Sequence, residues 1–383
     1  MRICLYTETA LPKMGGQEFV VDALARQFTS LGHEVVVLAP RPRPPWHIDD
    51  AKLPYLVERH PRFISTRRLV NWYSFWLRRC HRRHGFDVLH CHGVYPPGYL
   101  AALCRQDLGV PTVITSHGGD IREGNVRLNR PVLVQRYVKA LAAADALVTI
   151  SRFTRESLLR LCPNPQAMVE IPNGVDLGPF ASAADRPANL DAAIRPGEYL
   201  LFLGRLKHRK GVDVLLEAMA LVPSTGSIQL VIAGDGEERP TLEALSARWG
   251  LQTRVRFVSA VFGTEKTYLL QNALATVVPS RLADAFPLVV LESFAAGVPV
   301  IGTRVPGLED LIEEEKTGWQ VPPESPRDMA RVLTRLLNMP SLTRSLSQTV
   351  RGRVVEFSWP AIARRHLHLY GTLISAERAR LVA

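Results

Sequence analysis

The sequence is short of several things, and each shortage removes a class of function. Its 383 residues hold five cysteines (Cys4, Cys80, Cys91, Cys104 and Cys162), none in a Cys-x-x-Cys spacing. Thiols scattered in this way read as small hydrophobes in a reducing compartment, not as zinc ligands or a disulfide framework. There is no run of 18 apolar residues, so no spanning helix is expected. The opening MRICLYTETA has no apolar stretch after a basic start; it reads as a strand and not a signal peptide, and a cytoplasmic protein is expected. No Gly-x-Gly-x-x-Gly follows the first strand, and the second strand runs into Ala39-Pro40-Arg41 without an acidic residue, so a nicotinamide dinucleotide is not expected. Asp-x-Asp is missing throughout, which leaves a metal ion on a diphosphate without obvious ligands. His90-x-His92 lacks a suitably spaced third ligand and reads as structural. No metal and no other cofactor is therefore expected.

What is present points to two domains. A chain of this length with 46% hydrophobic residues can bury a full core in each. Short apolar runs at Arg2–Tyr6, Glu34–Ala39, Asp87–Cys91, Pro111–Thr115, Ala146–Ile150 and Met168–Ile171 alternate with helical patterns. After a looser stretch, Asp176–Gly197, which reads as a linker, the alternation restarts with Tyr199–Leu203, Ile228–Ala233, Val255–Val258, Ala275–Val278 and Val298–Gly302. Alternating β and α predicts an α/β fold: two Rossmann-like, doubly wound domains facing a central cleft, with ligands at the carboxyl ends of the strands. From Ser325 onward the pattern is mostly helical, ending in a long helix over Phe357–Ala383.

The net charge of +11 fits nucleic acid, an anionic membrane or a phosphorylated substrate, and equally an Arg-rich surface. No nucleic-acid-binding module is recognisable, so no nucleic-acid partner is expected. Residues 59–84 hold eight arginines, three histidines and no acid, with Trp72, Tyr73, Phe75 and Trp76 in the middle. This reads as a basic helix: either an interfacial membrane helix or acidic-acceptor site, or a surface helix whose aromatics belong to the core.

The most informative stretch is Pro279–Thr303. A polar loop carrying Asp284 leads into an apolar run bounded by Pro287 and Gly297, the asymmetry of a helix, with Glu292 one and a half turns inside. A helix N-terminus attracts anions, whereas carboxylates beside it are better explained by hydroxyls to hold. Phosphate and hydroxyls together suggest a sugar nucleotide. The loop GRLKHRKG, Gly204–Gly211, follows a strand; Arg205 and Lys210 would hold a diphosphate, unless the loop is merely solvated. Gly15-Gly16 before the first helix permits close approach of a ligand or simply makes a tight turn. His117, in SHGGD at a strand end, is placed to bond a substrate hydroxyl.

The chain resembles the retaining glycosyltransferases of family 4, which have the GT-B fold. The likeness runs through the GG loop and LGHEVVVLAP, SHGGD, IPNGVD (Ile171–Asp176), GRLKHRKG, AGDGE and Pro279–Thr303, and covers nearly the whole chain. It implies an acceptor-binding domain over 1–180, a donor domain over 181–355 and a helix over 356–383 crossing back to the first. By this resemblance Arg205 and Lys210 bind the donor diphosphate. Asp284 and Glu292 fall on the two acidic positions of a motif with seven residues between; the first lies by the donor sugar and the second on the ribose. The first is usually Glu. Phe286, Pro287 and Leu288 match a phosphate-contacting loop; since Pro287 has no N–H, that contact falls to Leu288 and Val289. His117 matches a donor-sugar contact, Gly16 a glycine loop over the diphosphate, and Gly15, Gly118, Asp120 and Asn173 acceptor or cleft positions. The implied activity is metal-independent hexosyl transfer with retention, from a nucleotide-diphosphate sugar to a glycan, lipid-linked or small-molecule acceptor in envelope or exopolysaccharide synthesis. Three alternatives stand beside it: a glycoside hydrolase using Asp284 and Glu292, another GT-B activity such as a sugar-nucleotide epimerase or a phosphorylase, against which the spacing of the two acidic positions argues, and a non-catalytic sugar-nucleotide-binding or partner subunit.

Overall fold

The computed structural model describes residues 1–13, 15–45, 47–63, 69–122, 124–223, 228–339 and 341–382. The chain forms two compact units. The first comprises Met1–Gly174 and the final helix, which starts at Trp359; the second is Val175–Ser358.

The first unit is built on a seven-stranded parallel sheet: β1 (Arg2–Thr7), β2 (Glu34–Pro40), β3 (Leu56–His60), β4 (Val88–His92), β5 (Thr112–Thr115), β6 (Ala146–Thr149) and β7 (Met168–Glu170), in spatial order β3-β2-β1-β4-β5-β6-β7. The second carries a six-stranded parallel sheet: β8 (Tyr199–Leu203), β9 (Gln229–Ala233), β10 (Val255–Val258), β11 (Ala275–Val278), β12 (Val300–Thr303) and β13 (Gly318–Val321), in order β10-β9-β8-β11-β12-β13. Both orders reverse direction between the first and fourth strands, which is the Rossmann arrangement, and the α/β expectation holds. The central strands are buried on both faces, so Ile3–Tyr6 and Leu200–Phe202 are continuous apolar runs without a polar alternation. Helices cover the faces; the first, Gly16–Ser30, turns Val20, Val21, Leu24, Ala25 and Phe28 inward.

Several expectations change. The linker read at Asp176–Gly197 is packed: Phe180, Leu190 and Ile194 are buried in the second unit, and Arg186 donates to the carbonyls of Ile194 and Asp191 at 2.8 Å each. Two strands escape the apolar pattern, β3 and β13. Both are edge strands, where one flank faces solvent or a loop; Leu56 is 61% exposed. The basic stretch 59–84 is not one helix. Arg59 and His60 end β3, a short 3-10 turn spans Val70–Tyr73, and the helix is only Ser74–His84; Arg67 and Arg68 lie outside the described residues. Its aromatics divide. Tyr73 is buried and Trp76 packs on the core, while Trp72 and Phe75 face outward. Among the described residues no helix is long and apolar enough to cross a membrane.

The final helix, Trp359–Val382, belongs to the first unit. Ile362, Ala363, His366 and Tyr370 are buried; Tyr370 lies 5.7 Å from Phe28 between ring centroids, and its hydroxyl is 2.6 Å from Nδ1 of His90 on β4.

Candidate functional site

In the second unit, the sequence-predicted residues gather at the carboxyl ends of β8 and β11, where the strand order reverses. The loop after β8 carries Arg205, which is exposed and has no ion-pair partner among the described residues, and Lys210, which is mostly buried. Two features press this loop onto the end of β11. Gly211 has φ 64°, and a Cβ there would lie 2.1 Å from the carbonyl oxygen of Pro279, so only glycine fits. Arg281 then clamps the loop: it forms a bidentate pair with Asp213 at 2.6 Å, donates to the carbonyl of His208 at 2.8 Å, and its backbone N–H bonds Arg209 at 2.9 Å. Gly234 of the AGDGE motif has a similar reason to be glycine, since a Cβ would stand 1.9 Å from the carbonyl of Gly204.

Asp284 and Lys210 form an ion pair and hydrogen bond with both side chains largely buried. Burial pushes the Asp284 carboxyl up, but the charge and hydrogen bond of Lys210, with the charge of Arg209 added, pull it further down, below the usual carboxylate range. Asp284 is therefore an anion at neutral pH. Pro287 is the N-cap of the next helix, which spans Leu288–Ala296, one residue later than the Pro-first reading placed it. The backbone N–H groups of Leu288 and Val289 have no acceptor among the described residues, as at any uncapped helix N-terminus. Phe286 seats the loop against Phe357, ring centroids 6.0 Å apart, and Gly297 closes the helix at φ 79°. Glu292 is held by Lys266, with Nζ 2.9 Å from Oε1. Lys210 and Asp284 thus meet directly, while Arg205 stands in the loop after β8 and Glu292 in the helix after β11, paired with Lys266. Arg281 and Lys266 were missed by sequence reasoning, because their partners lie 68 and 26 residues away.

In the first unit, His117 follows β5 and is half-buried, with Nε2 3.0 Å from Nδ1 of the buried His92 at the end of β4. Burial lowers the His117 pKa to about 4, overriding the attraction of Asp120 and Glu18, so the ring is neutral at pH 7. Asp120 organises the loop: its carboxylate accepts from Ser116 Oγ at 2.6 Å and from the backbone N–H of Val94 at 2.9 Å. Gly118 sits at φ 84° and donates to Ser116 Oγ at 3.2 Å. Gly15 caps the first helix and Gly16 opens it. The buried Glu18 carboxylate folds back onto that end; a Cβ on Gly15 would lie 2.6 Å from its Oε2, and Lys13 pairs with it at 3.0 Å. Asn173 is 7% exposed in the segment after β7. Among the described residues there is no cluster of three or more His, Cys, Asp or Glu able to hold a metal ion.

Residues 14–178 match the family described as glycosyltransferase family 4, and residues 192–353 that described as glycosyl transferases group 1. A D-inositol 3-phosphate glycosyltransferase from Frankia alni is 30% identical over 398 residues, covering 94% of this chain and 95% of the relative. A phosphatidyl-myo-inositol mannosyltransferase from Mycolicibacterium smegmatis is 28% identical over 387 residues, covering 98% and 95%. The structure of Anabaena Alr3699/HepE in complex with UDP-glucose superposes with a TM-score of 0.79 at 16% identity, covering 97% of this chain and all of that one, a likeness of fold alone. With both family regions matched in order and a relative aligned nearly end to end, the chain belongs to glycosyltransferase family 4 and has the GT-B fold.

Proposed function

We propose that this glycosyltransferase moves a hexose from a nucleoside-diphosphate sugar to a phosphorylated or lipid-linked acceptor, with retention at the anomeric carbon and without a metal ion. The observation that carries the reading is the buried pair of Lys210 and Asp284 joining the loop after β8 to the segment after β11, which leads into the helix whose first N–H groups, at Leu288 and Val289, have no acceptor among the described residues. A diphosphate needs cations and N–H donors; in this reading Arg205, Lys210 and the helix end supply them and take the electrostatic part a metal would otherwise play. Glu292, with one oxygen held by Lys266, takes the ribose hydroxyls on the other. Asp284 faces the transferred sugar, and His117 bonds a substrate hydroxyl. With no side chain assigned as a nucleophile, the acceptor attacks the face the diphosphate leaves, and a leaving phosphate oxygen takes the acceptor's proton. The protein contributes position and leaving-group stabilisation. The cations beside the carboxylates have no purpose in glycoside hydrolysis, which favours transfer over that alternative.

The names of the two relatives suggest the acceptor class, an inositol phosphate or its lipid. A membrane-resident acceptor fits one surface of the first unit. Leu69, Trp72 and Phe75 are each about half exposed at 52%, 54% and 48%, and the exposed Arg79 and Arg82 continue the same three-to-four-residue spacing. Exposed apolar side chains followed closely by exposed cations suit an anionic membrane surface, and a place in envelope or exopolysaccharide synthesis agrees with it.

The test is a thermal-shift screen of UDP, GDP and ADP sugars with and without EDTA, followed by NMR of the product's anomeric proton. One nucleotide sugar should raise the melting temperature, EDTA should change nothing, and the product should keep the donor's anomeric configuration. An inverted product or an EDTA-abolished reaction refutes the mechanism; binding without turnover across a broad acceptor panel favours the non-catalytic alternative. Flotation with anionic liposomes tests the surface, and no binding at low salt removes the membrane.

A further inference from the structure

The histidines of the first unit form a connected buried array, and one of them has a bonding pattern that fixes another. His92 is fully buried at the end of β4. Its backbone carbonyl accepts from Nε2 of Gln17 at 3.0 Å, and its ring lies between those of His90 and His117, at centroid distances of 4.2 and 5.2 Å. Its Nδ1 is 3.0 Å from Nε2 of His117. Its Nε2 is buried with no hydrogen-bond partner among the described residues. On His117, Nδ1 has no hydrogen-bond partner among the described residues.

A hydrogen bond between two neutral imidazoles contains one proton, so only two arrangements exist. If His117 donates from Nε2, then His92 carries its own proton on its Nε2, a buried donor without an acceptor. If His92 donates from Nδ1, its Nε2 is a bare lone pair and His117 carries its proton on Nδ1. Buried orphan donors are the rarer of the two defects in folded proteins, which selects the second arrangement. Burial holds both rings below the ordinary histidine range, so neither gains a second proton at neutral pH.

We propose that His92 is a positioning residue that donates from Nδ1 to Nε2 of His117 and thereby fixes His117 as a neutral hydrogen-bond donor, through Nδ1, toward a substrate hydroxyl. The proposal rests on the reading of His117 as a substrate contact, and it narrows that reading. A ring locked in this tautomer has no free lone pair for the ligand, so His117 cannot act as the base that takes the acceptor's proton.

The test uses the full chain with 15N-labelled histidine and measures kcat and KM alongside. The long-range 15N–1H pattern of His117 should show a protonated Nδ1 and a bare Nε2; a protonated Nε2 overturns the proposal. His92→Asn places an amide donor where Nδ1 stood and should keep kcat within about tenfold of the parent. His92→Asp offers only an acceptor, draws the proton to Nε2 of His117, and should lower kcat on the order of 10²-fold, the cost of one lost donor. Equal kcat in the Asn and Asp variants, with both folded by thermal melting, overturns the lock. A merely structural His92 would move melting temperatures without moving the 15N pattern. A His117→Ala variant with normal turnover would instead overturn the substrate contact beneath the proposal, while the tautomer stays readable in the parent's spectrum.

Discussion

Mild acid should unfold the first unit and leave the second standing. The first unit buries His60, His90, His92 and His366, whereas the second contains only one histidine, the exposed His208. Burial lowers all four: His60 to about 4, His366 to about 3, and His90 and His92 well below the ordinary value. On unfolding each regains a value of about 6.5, so the unfolded chain binds more protons and stability drops as the pH is lowered. The stability is complete above roughly pH 7, is lost as pH falls through 6.5, and levels off only below the folded-state values. A histidine at about 4 in the fold, like His60, loses about 2 kcal/mol between pH 7 and pH 5. Four such groups set the loss at roughly 6–8 kcal/mol, comparable with the whole stability of an ordinary domain. The second unit's depressed carboxyls, Asp213, Asp235 and Asp284, lose their contribution only below about pH 4, outside this window. Hydrogen exchange read by mass spectrometry, with labelling times scaled to equal intrinsic exchange, checks this at pH 7 and pH 5. Peptides from 1–174 and 359–382 should lose protection at pH 5 while those from 175–358 keep it. Equal loss in both units, or none in the first, would refute the reasoning.

Lys210→Ala should lower transfer by about 10²–10³-fold, and because it strands the buried Asp284 it should also cost the second unit roughly 3 kcal/mol in urea denaturation and let the Asp284 carboxyl climb, burial being its largest influence once the cation is gone. Gly211→Ala combines a left-handed residue with a Cβ 2.1 Å from the Pro279 carbonyl and should cost about 2 kcal/mol or more in urea denaturation. Arg281→Met keeps the apolar stem but removes the pair with Asp213 and the bond to His208; it should raise the donor KM and lower stability by roughly 2–3 kcal/mol, read by steady-state kinetics and calorimetry.

What the sequence made legible follows from where each signal is local. The inner strands declare themselves because burial on both faces leaves no room for polar residues, as in Leu200–Phe202. The edge strands β3 and β13 do not: LVERH reads as charged, and GWQV starts on a glycine whose missing Cβ lets it approach the Val300 carbonyl. The loop after β8 and the helix at Leu288 are recognisable because phosphate chemistry needs those residue types within a few positions of each other. The clamps are not, because Asp213 and Arg281 meet only through the fold. Composition failed most at 59–84, where a charge count cannot tell a strand end, a turn and a short helix from one long helix. Nor can it separate Tyr73, which is buried, from Trp72, which is exposed.

The ends of the second unit have a consequence for how the chain is made. Val175 and Ser358 bridge, and the Val175 N–H bonds the Phe357 carbonyl at 2.8 Å, so Val175–Ser358 starts and stops at one place like a closed bracket. Everything it needs leaves the ribosome before the helix that begins at Trp359. The first unit, begun earlier, lacks Tyr370 and His366 against β4 until the helix that carries them is made, about 10–40 s after Gly174 at ordinary rates. The half translated first is therefore completed last, and a chain truncated before Trp359 releases a finished second unit attached to an unfinished first.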